Sequence, residues 1–266
     1  MKKYLLQITL LALLLSSCTG YNALLKSSDA EKKLAAGKNF YQEGQYNKAV
    51  ELFTQCVPYF RGTSESEQIT FLLGEANYKF KDFYSASDYY EAYAKSFPRG
   101  QYIREVRYKI GLCYYLDSPD VRLDQTATYN AVSALEEYIQ LYPNADNVTK
   151  VYSMIAEMQD KLAEKGFLEA QLYYNLGTYM GNNYQSCRIV SEDFLQEYPD
   201  SKFRDDLLWL VLASKNKEAE LSINDKKSAR YSEVIDEYYR YSNAYPDGKY
   251  IKKANKIYEN AKQFVK

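Results

Sequence analysis

The sequence predicts an all-α chain built as a solenoid of about five helix-pair units, and three observations carry that expectation. Five of the six prolines, Pro58, Pro98, Pro143, Pro199 and Pro246, each close an amphipathic stretch, at separations of 40, 45, 56 and 47 residues. Proline lacks a backbone N–H and its ring clashes with the preceding turn, so it marks where a helix stops. The interval is that of one two-helix unit with a variable loop. Small and large residues also return at matched places: Gly37 and Ala49 sit among Phe40, Tyr46 and Phe53, as Gly74 and Ala86 sit among Leu73, Phe83 and Tyr90. Small residues let two helices cross closely, and large ones fill the gaps beside the crossing. Finally, 266 residues with 46% hydrophobic content but a mean hydropathy of −0.54 suit amphipathic helices.

At the amino terminus Lys2 and Lys3 form a short basic region, an apolar run of twelve residues from Tyr4 to Leu15 follows, and Ser16, Ser17 and Cys18 close it. Twelve helical residues reach about 18 Å, short of a hydrocarbon core of roughly 30 Å. A secretory signal over 1–17 therefore fits better than a membrane span. Leu15-Ser16-Ser17-Cys18 also resembles a bacterial lipobox, in which the peptide is cut before the cysteine and the cysteine is acylated on its thiol and amino group. That resemblance makes 18–28 an acylated tether. Each buried CH₂ of an acyl chain contributes about 0.8 kcal/mol, and two chains already anchor stably.

The repeat pattern beyond the tether resembles the tetratricopeptide repeat. That motif has small residues at positions 8 and 20, large ones at 7, 11, 17, 24 and 27, and proline near 32. Gly37, Phe40, Gly44, Tyr46, Ala49, Phe53 and Cys56 take positions 8, 11, 15, 17, 20, 24 and 27 of the first unit. Leu73, Gly74, Phe83, Ala86, Tyr90, Tyr93 and Pro98 take 7, 8, 17, 20, 24, 27 and 32 of the second. The third has Ile110, Gly111 and Tyr114, about eight inserted residues, then Ala131, Leu135, Tyr138 and Pro143. Within the insertion, 117–126, Asp124 reads as a helix cap.

Between Val148 and Gly166 an extra amphipathic stretch carries Val151, Met154, Ile155, Met158 and Leu162 at helical spacing. It can run on into Phe167–Met180 as one long helix between units three and four, bent or weakened at Gly166. Tyr184, Cys187, Phe194 and Pro199 fit the second helix of unit four, with Ser191 where a large residue is expected. Tyr231, Val234, Tyr238, Tyr241 and Pro246 fit unit five, and Tyr250–Val265 a terminal helix. The chain thus divides into N-terminal repeats over 29–146 and C-terminal repeats with the terminal helix over 147–266.

The chemistry open to this chain is narrow. It has no histidine, which removes His-based triads, His–metal sites and imidazole acid–base work. With 34 Lys plus Arg against 35 Asp plus Glu, the net charge of −1 lacks the basic surplus that nucleic acid requires. Cys56, Cys113 and Cys187 are too widely separated for a zinc pattern or a disulfide framework and read as buried thiols. No Gly-rich phosphate loop or nucleophile elbow is present. No catalytic residue, metal ligand or cofactor is expected. Most of the thirty tyrosines read as core, their rings buried and hydroxyls reaching the edge of the stack.

Taken from the lipobox to the last helix, the sequence resembles the BamD family of outer-membrane assembly lipoproteins, closest to its Bacteroidota branch. The resemblance rests on Leu15–Cys18, the five units and local strings: Val57-Pro58-Tyr59-Phe60-Arg61-Gly62-Thr63, Cys113-Tyr114-Tyr115-Leu116-Asp117-Ser118-Pro119 and Glu197-Tyr198-Pro199-Asp200-Ser201-Lys202. It implies a non-enzymatic scaffold lipid-anchored on the periplasmic face of the outer membrane. It implies two kinds of partner, the periplasmic domains of the BamA insertase and unfolded outer-membrane protein clients. Client recognition falls to the N-terminal repeats and the insertase contact to the C-terminal ones.

In such a stack the first helix of each unit lines an inner groove through positions 2, 5, 9 and 12. These are Glu31, Leu34, Lys38 and Tyr41, then Gln68, Phe71, Glu75 and Tyr78, then Glu105, Tyr108, Leu112 and Tyr115. Tyr41, Phe71, Tyr78, Tyr108 and Tyr115 would form aromatic steps between carboxylates, suited to an extended client segment with alternating aromatic side chains. The same rings could instead plug the groove. For the partner contact the sequence points to Arg188, Glu192 and Asp193, since arginine suits an interfacial carboxylate fork. A lipid-anchored glycan-capture protein, or a member of another envelope complex, is the alternative. Sugar binding favours clustered Trp, whereas Trp209 is alone within the apolar run 207–212.

Overall fold

The computed structural model describes residues 20–265, and all regular structure among them is helical. After a helical segment at 20–26, the order is α1 (Ala30–Gln42), α2 (Tyr46–Cys56), α3 (Glu65–Phe80), α4 (Phe83–Ser96), α5 (Ile103–Asp117), α6 (Thr126–Leu141), α7 (Val148–Leu176), α8 (Asn183–Glu197), α9 (Arg204–Glu220), α10 (Asn224–Ala244) and α11 (Ile251–Ala261). No helix among the described residues is long and apolar enough to cross a membrane. The signal at 1–17 and Cys18 lie outside the described residues. The chain divides into two compact units, one of residues up to Ser118 with Asn130–Asp146, the other of Pro119–Tyr129 with Asn147 onward.

In the first unit α1 pairs with α2, α3 with α4, and each packs on the next. Two of these helices start on side-chain caps: at α1 Asp29 accepts from the Lys32 N–H, and at α4 Asp82 accepts from the Ser85 N–H. The crossings use the small residues of the repeat. A Cβ added at Gly37 would fall 2.7 Å from the Phe53 ring, at Gly74 2.5 Å from the Tyr90 ring, and at Gly111 2.6 Å from Leu135. Each position-8 glycine therefore faces the position-24 residue of its own unit, and Phe53, Tyr90 and Leu135 are fully buried. Leu34, at an expected groove position, instead joins the core with Ala49, Phe53 and Ile69.

In the second unit α7 is one continuous helix of 29 residues. Gly166 does not break it. Its missing side chain admits the Phe194 ring of α8, which a Cβ would strike. A glycine keeps its backbone hydrogen-bonding groups, so here it allows close approach within an unbroken helix. The core gathers on α9, where Leu207, Leu208, Val211 and Leu212 are buried with Tyr231, Val234 and Tyr241 of α10. The α6 helix begins where Asp124 accepts from the Thr126 N–H, 2.9 Å.

One device recurs after three of the prolines. Glu67 of α3 accepts from the Tyr93 hydroxyl and from the Gln101 N–H, and Tyr102 N–H donates back to the Tyr93 oxygen. Asp205 of α9 accepts from the Tyr241 hydroxyl and the Lys249 N–H, and Tyr250 N–H donates to the Tyr241 oxygen. Asp160 of α7 accepts from the Ser201 hydroxyl and the Lys202 N–H. Each carboxylate thus takes the N–H three residues beyond a proline, satisfying an orphan donor at the entry to the next helix.

Candidate functional site

The expected groove aromatics all belong to the first unit, and each is half-buried. Phe71 and Tyr78, two turns apart on α3, meet at the ammonium of Lys109 on α5. That nitrogen lies 5.7 Å from the Phe71 ring centre, 5.6 Å from Tyr78 and 5.8 Å from Tyr90 of α4, within cation–π range. Lys109 also pairs with Glu75 and with Glu105, the latter at 2.8 Å and one helical turn away. Glu75 is buried and takes a second hydrogen bond from the Tyr90 hydroxyl, 2.6 Å. Phe71 is further stacked on Tyr102 at 3.9 Å, and Tyr78 lies against Phe83 at 5.8 Å.

Tyr41 on α1 reaches the same carboxylate. Its hydroxyl is pushed up to about 12, by burial first and then by Glu75. Tyr108 packs its ring 5.5 Å from Tyr138 of α6. Tyr115 is half-buried on the last turn of α5. Burial drags the Lys109 ammonium down, but the Glu105 and Glu75 carboxylates outweigh it and hold it above its ordinary value. Burial drives the Tyr90 hydroxyl and the nearby Cys113 thiol up, the latter to about 12. The cluster is therefore a set of neutral phenols and one charged ammonium, held together by ring contacts and ion pairs. Its thiol is too poorly ionised to act as a nucleophile.

Sequence reasoning placed Phe71, Glu75, Tyr78 and Glu105 on this face but missed the cation at its centre. The signal was there: Glu105 and Lys109 stand at i, i+4, the spacing that brings opposite charges together on a helix.

In the second unit Arg188 of α8 lines a charged cavity of about 280 Å³ with Lys215 and Glu218 of α9 and Arg230 and Glu233 of α10. Arg188 Nε is 3.9 Å from the Glu218 carboxylate and buried without a hydrogen-bond partner. Arg230 donates to the Glu218 carbonyl (2.9 Å) and the Ser222 hydroxyl (2.8 Å), while Lys215 is held by Glu237 at 2.7 Å. Glu192 is half-buried and Asp193 exposed, one turn further along α8. Of the three, Arg188 alone lines the cavity, and Glu192 follows it at i, i+4 on the same helix face. Trp209 is stacked on Tyr250 at 5.0 Å with Lys253 over its ring.

The family model described as "YfiO: Outer membrane lipoprotein" matches residues 27–181. The chain is 25% identical over 143 residues to the outer membrane protein assembly factor BamD of Caulobacter vibrioides; the match covers 54% of this chain and 47% of that protein, about half its length. It is 23% identical over 230 residues to the protein of the same name from Pasteurella multocida, covering 82% of this chain and 84% of the relative. Among solved structures, the TPR2AB-domain:pHSP90-complex of yeast Sti1 is similar at a TM-score of 0.39 and 15% identity, covering 88% of this chain and 98% of that one.

Proposed function

Since this chain belongs to the YfiO family of outer membrane lipoproteins, we propose that it is a non-enzymatic scaffold for assembly of outer-membrane proteins, held to the membrane by acylated Cys18. The observation that carries the reading is the family match, which spans 27–181 and takes in the whole aromatic and acidic face of α1, α3 and α5. In this reading the N-terminal repeats receive extended, aromatic-bearing segments of unfolded clients at Tyr41, Phe71, Tyr78, Tyr108 and Tyr115. Half-buried rings offer stacking area at low entropic cost, and Glu75 and Glu105, both paired with Lys109, hold the ammonium against those rings. The C-terminal repeats contact the periplasmic domains of a BamA-type insertase around Arg188, Glu192 and Asp193. Arg188 suits that role because its guanidinium meets Glu218 only at 3.9 Å and a quarter of its side chain stays exposed.

A tagged pull-down from detergent-solubilised outer membrane tests the scaffold. Near-equal recovery of a barrel insertase is the expected result; its absence, with a glycan transporter in its place, would favour the alternative. For the groove, client-peptide affinity is measured on Tyr78→Ala and Tyr108→Ala, with the corresponding Phe variants as folding controls. Each Ala variant should weaken binding by about five- to tenfold, the loss of one aromatic anchor. Unchanged affinity would sink the groove.

A further inference from the structure

The segment preceding the first repeat is clamped to it at both ends. The Tyr21 ring stands edge-on to Phe40 of α1 at 5.5 Å, and its hydroxyl donates to Glu51 of α2 at 2.5 Å. Lys48 lies over both rings, 5.3 and 5.1 Å from their centres. At the other end the ammonium of Lys33, itself buried, donates to the Leu25 carbonyl (3.1 Å) and to Gln55 (2.6 Å). Helix 20–26 therefore lies across the α1/α2 pair, fastened to both members.

Between this helix and α1 runs an open groove of about 510 Å³, bounded by Ala23, Leu24, Lys26, Ser27, Lys32 and Ala36. Both charged residues on its rim are lysines, and its floor is small and apolar. Only Thr19 separates Cys18 from Gly20, where the groove begins. A chain extends at most about 3.6 Å per residue, so the groove starts within roughly 7 Å of the Cys18 backbone. The headgroup layer of one leaflet is itself about 5–7 Å thick.

We propose that this end of the first repeat is a bilayer-contact surface, with helix 20–26 laying the groove against phospholipid headgroups. The lysines meet lipid phosphates, their stems and the alanines face the acyl boundary, and the clamp converts a point anchor into a fixed orientation. The inference rests on the acyl anchor at Cys18 proposed above.

The test uses the full lipidated protein reconstituted in vesicles of phosphatidylethanolamine and phosphatidylglycerol. A bimane fluorophore is placed at Ala23→Cys, at Ala36→Cys and, as a control on α6 of the same unit, at Ser133→Cys; Cys56, Cys113 and Cys187 are buried. Quenching by nitroxide-bearing lipids should be several-fold stronger at the first two positions than at the control. The pair Tyr21→Ala with Lys33→Met, which cuts both ends of the clamp and leaves the anchor, should abolish the difference without changing vesicle flotation. Equal quenching at all three positions in floating protein overturns the bilayer contact and leaves the anchor standing. Shielding of Ala23 and Ala36 from an aqueous quencher without lipid quenching gives the groove to the protein's own acyl chain or to a second copy, which also overturns it. Failure of the native chain to float overturns the anchor and this inference together.

Discussion

At Lys109 an ammonium group sits among three rings and two carboxylates, with only 14% of its side chain exposed beside a Glu75 that is 10% exposed. Removing one member of such a pair strands the other charge in a poorly hydrated place. Lys109→Met should therefore destabilise the protein by about 2–4 kcal/mol in urea unfolding, and the double variant with Glu75→Gln by much less. Equal losses in the single and double variants would mean that packing, rather than charge, holds the cluster. The cation also bears on client binding, because Phe71 and Tyr78 already stack against it. A client must approach rings that are engaged rather than empty, so aromatic anchors alone do not describe this face.

At the scale of the helix pair, glycine placement and carboxylate latches do the positioning. Gly74→Ala gains helix propensity of about 0.5–1 kcal/mol but forces a Cβ onto the Tyr90 ring. That ring is fully buried and tied to Glu75, so it has nowhere to go. Overpacking of this kind costs about 1–3 kcal/mol, and the net effect should be destabilising, whereas Gly20→Ala, at a helix start and meeting open space, should be neutral to slightly stabilising. Thermal melts of the two variants make the comparison. Asp205→Ala removes the acceptor for both the Tyr241 hydroxyl and the Lys249 N–H. Its cost should be about 1–3 kcal/mol, and hydrogen exchange should speed up first at the start of α11.

Across the whole chain the abundance of tyrosine sets the response to alkali. Tyr41 and Tyr114 are both pushed up to about 12, by burial first and then by Glu75 and Glu91 respectively. Lys109 is raised as well, by carboxylates that outweigh its burial. Each of these groups holds its proton more tightly folded than unfolded, so its contribution is complete below the unfolded value. It is lost as pH climbs through the folded one. The urea midpoint should stay level to about pH 9 and fall between about 10 and 12; a midpoint rising in that window would contradict the assignment. At the same scale, Cys18→Ala should release the protein from washed membranes lacking the insertase, and full retention there would rule out the acyl anchor.

Much of this was legible in the sequence, because helix ends, crossing glycines and repeat spacing are local chemistry. Proline at 58, 98, 143, 199 and 246 announced the ends of helix pairs, and Gly37, Gly74 and Gly111 announced the crossings that Phe53, Tyr90 and Leu135 fill. At Gly166 the long helix was legible, but a glycine inside a helix signals flexibility and close approach alike, and the approach of Phe194 came only from the packing. The convergence of Glu75, Tyr90 and Lys109, 34 residues apart at its widest, required packing of α3, α4 and α5. So did the clamp of Tyr21 onto Glu51 and Lys33 onto Leu25. Periodicity tells which face of a helix is buried. Which charged group from a distant helix meets that face depends on how the helices rotate against one another, and packing alone sets that rotation.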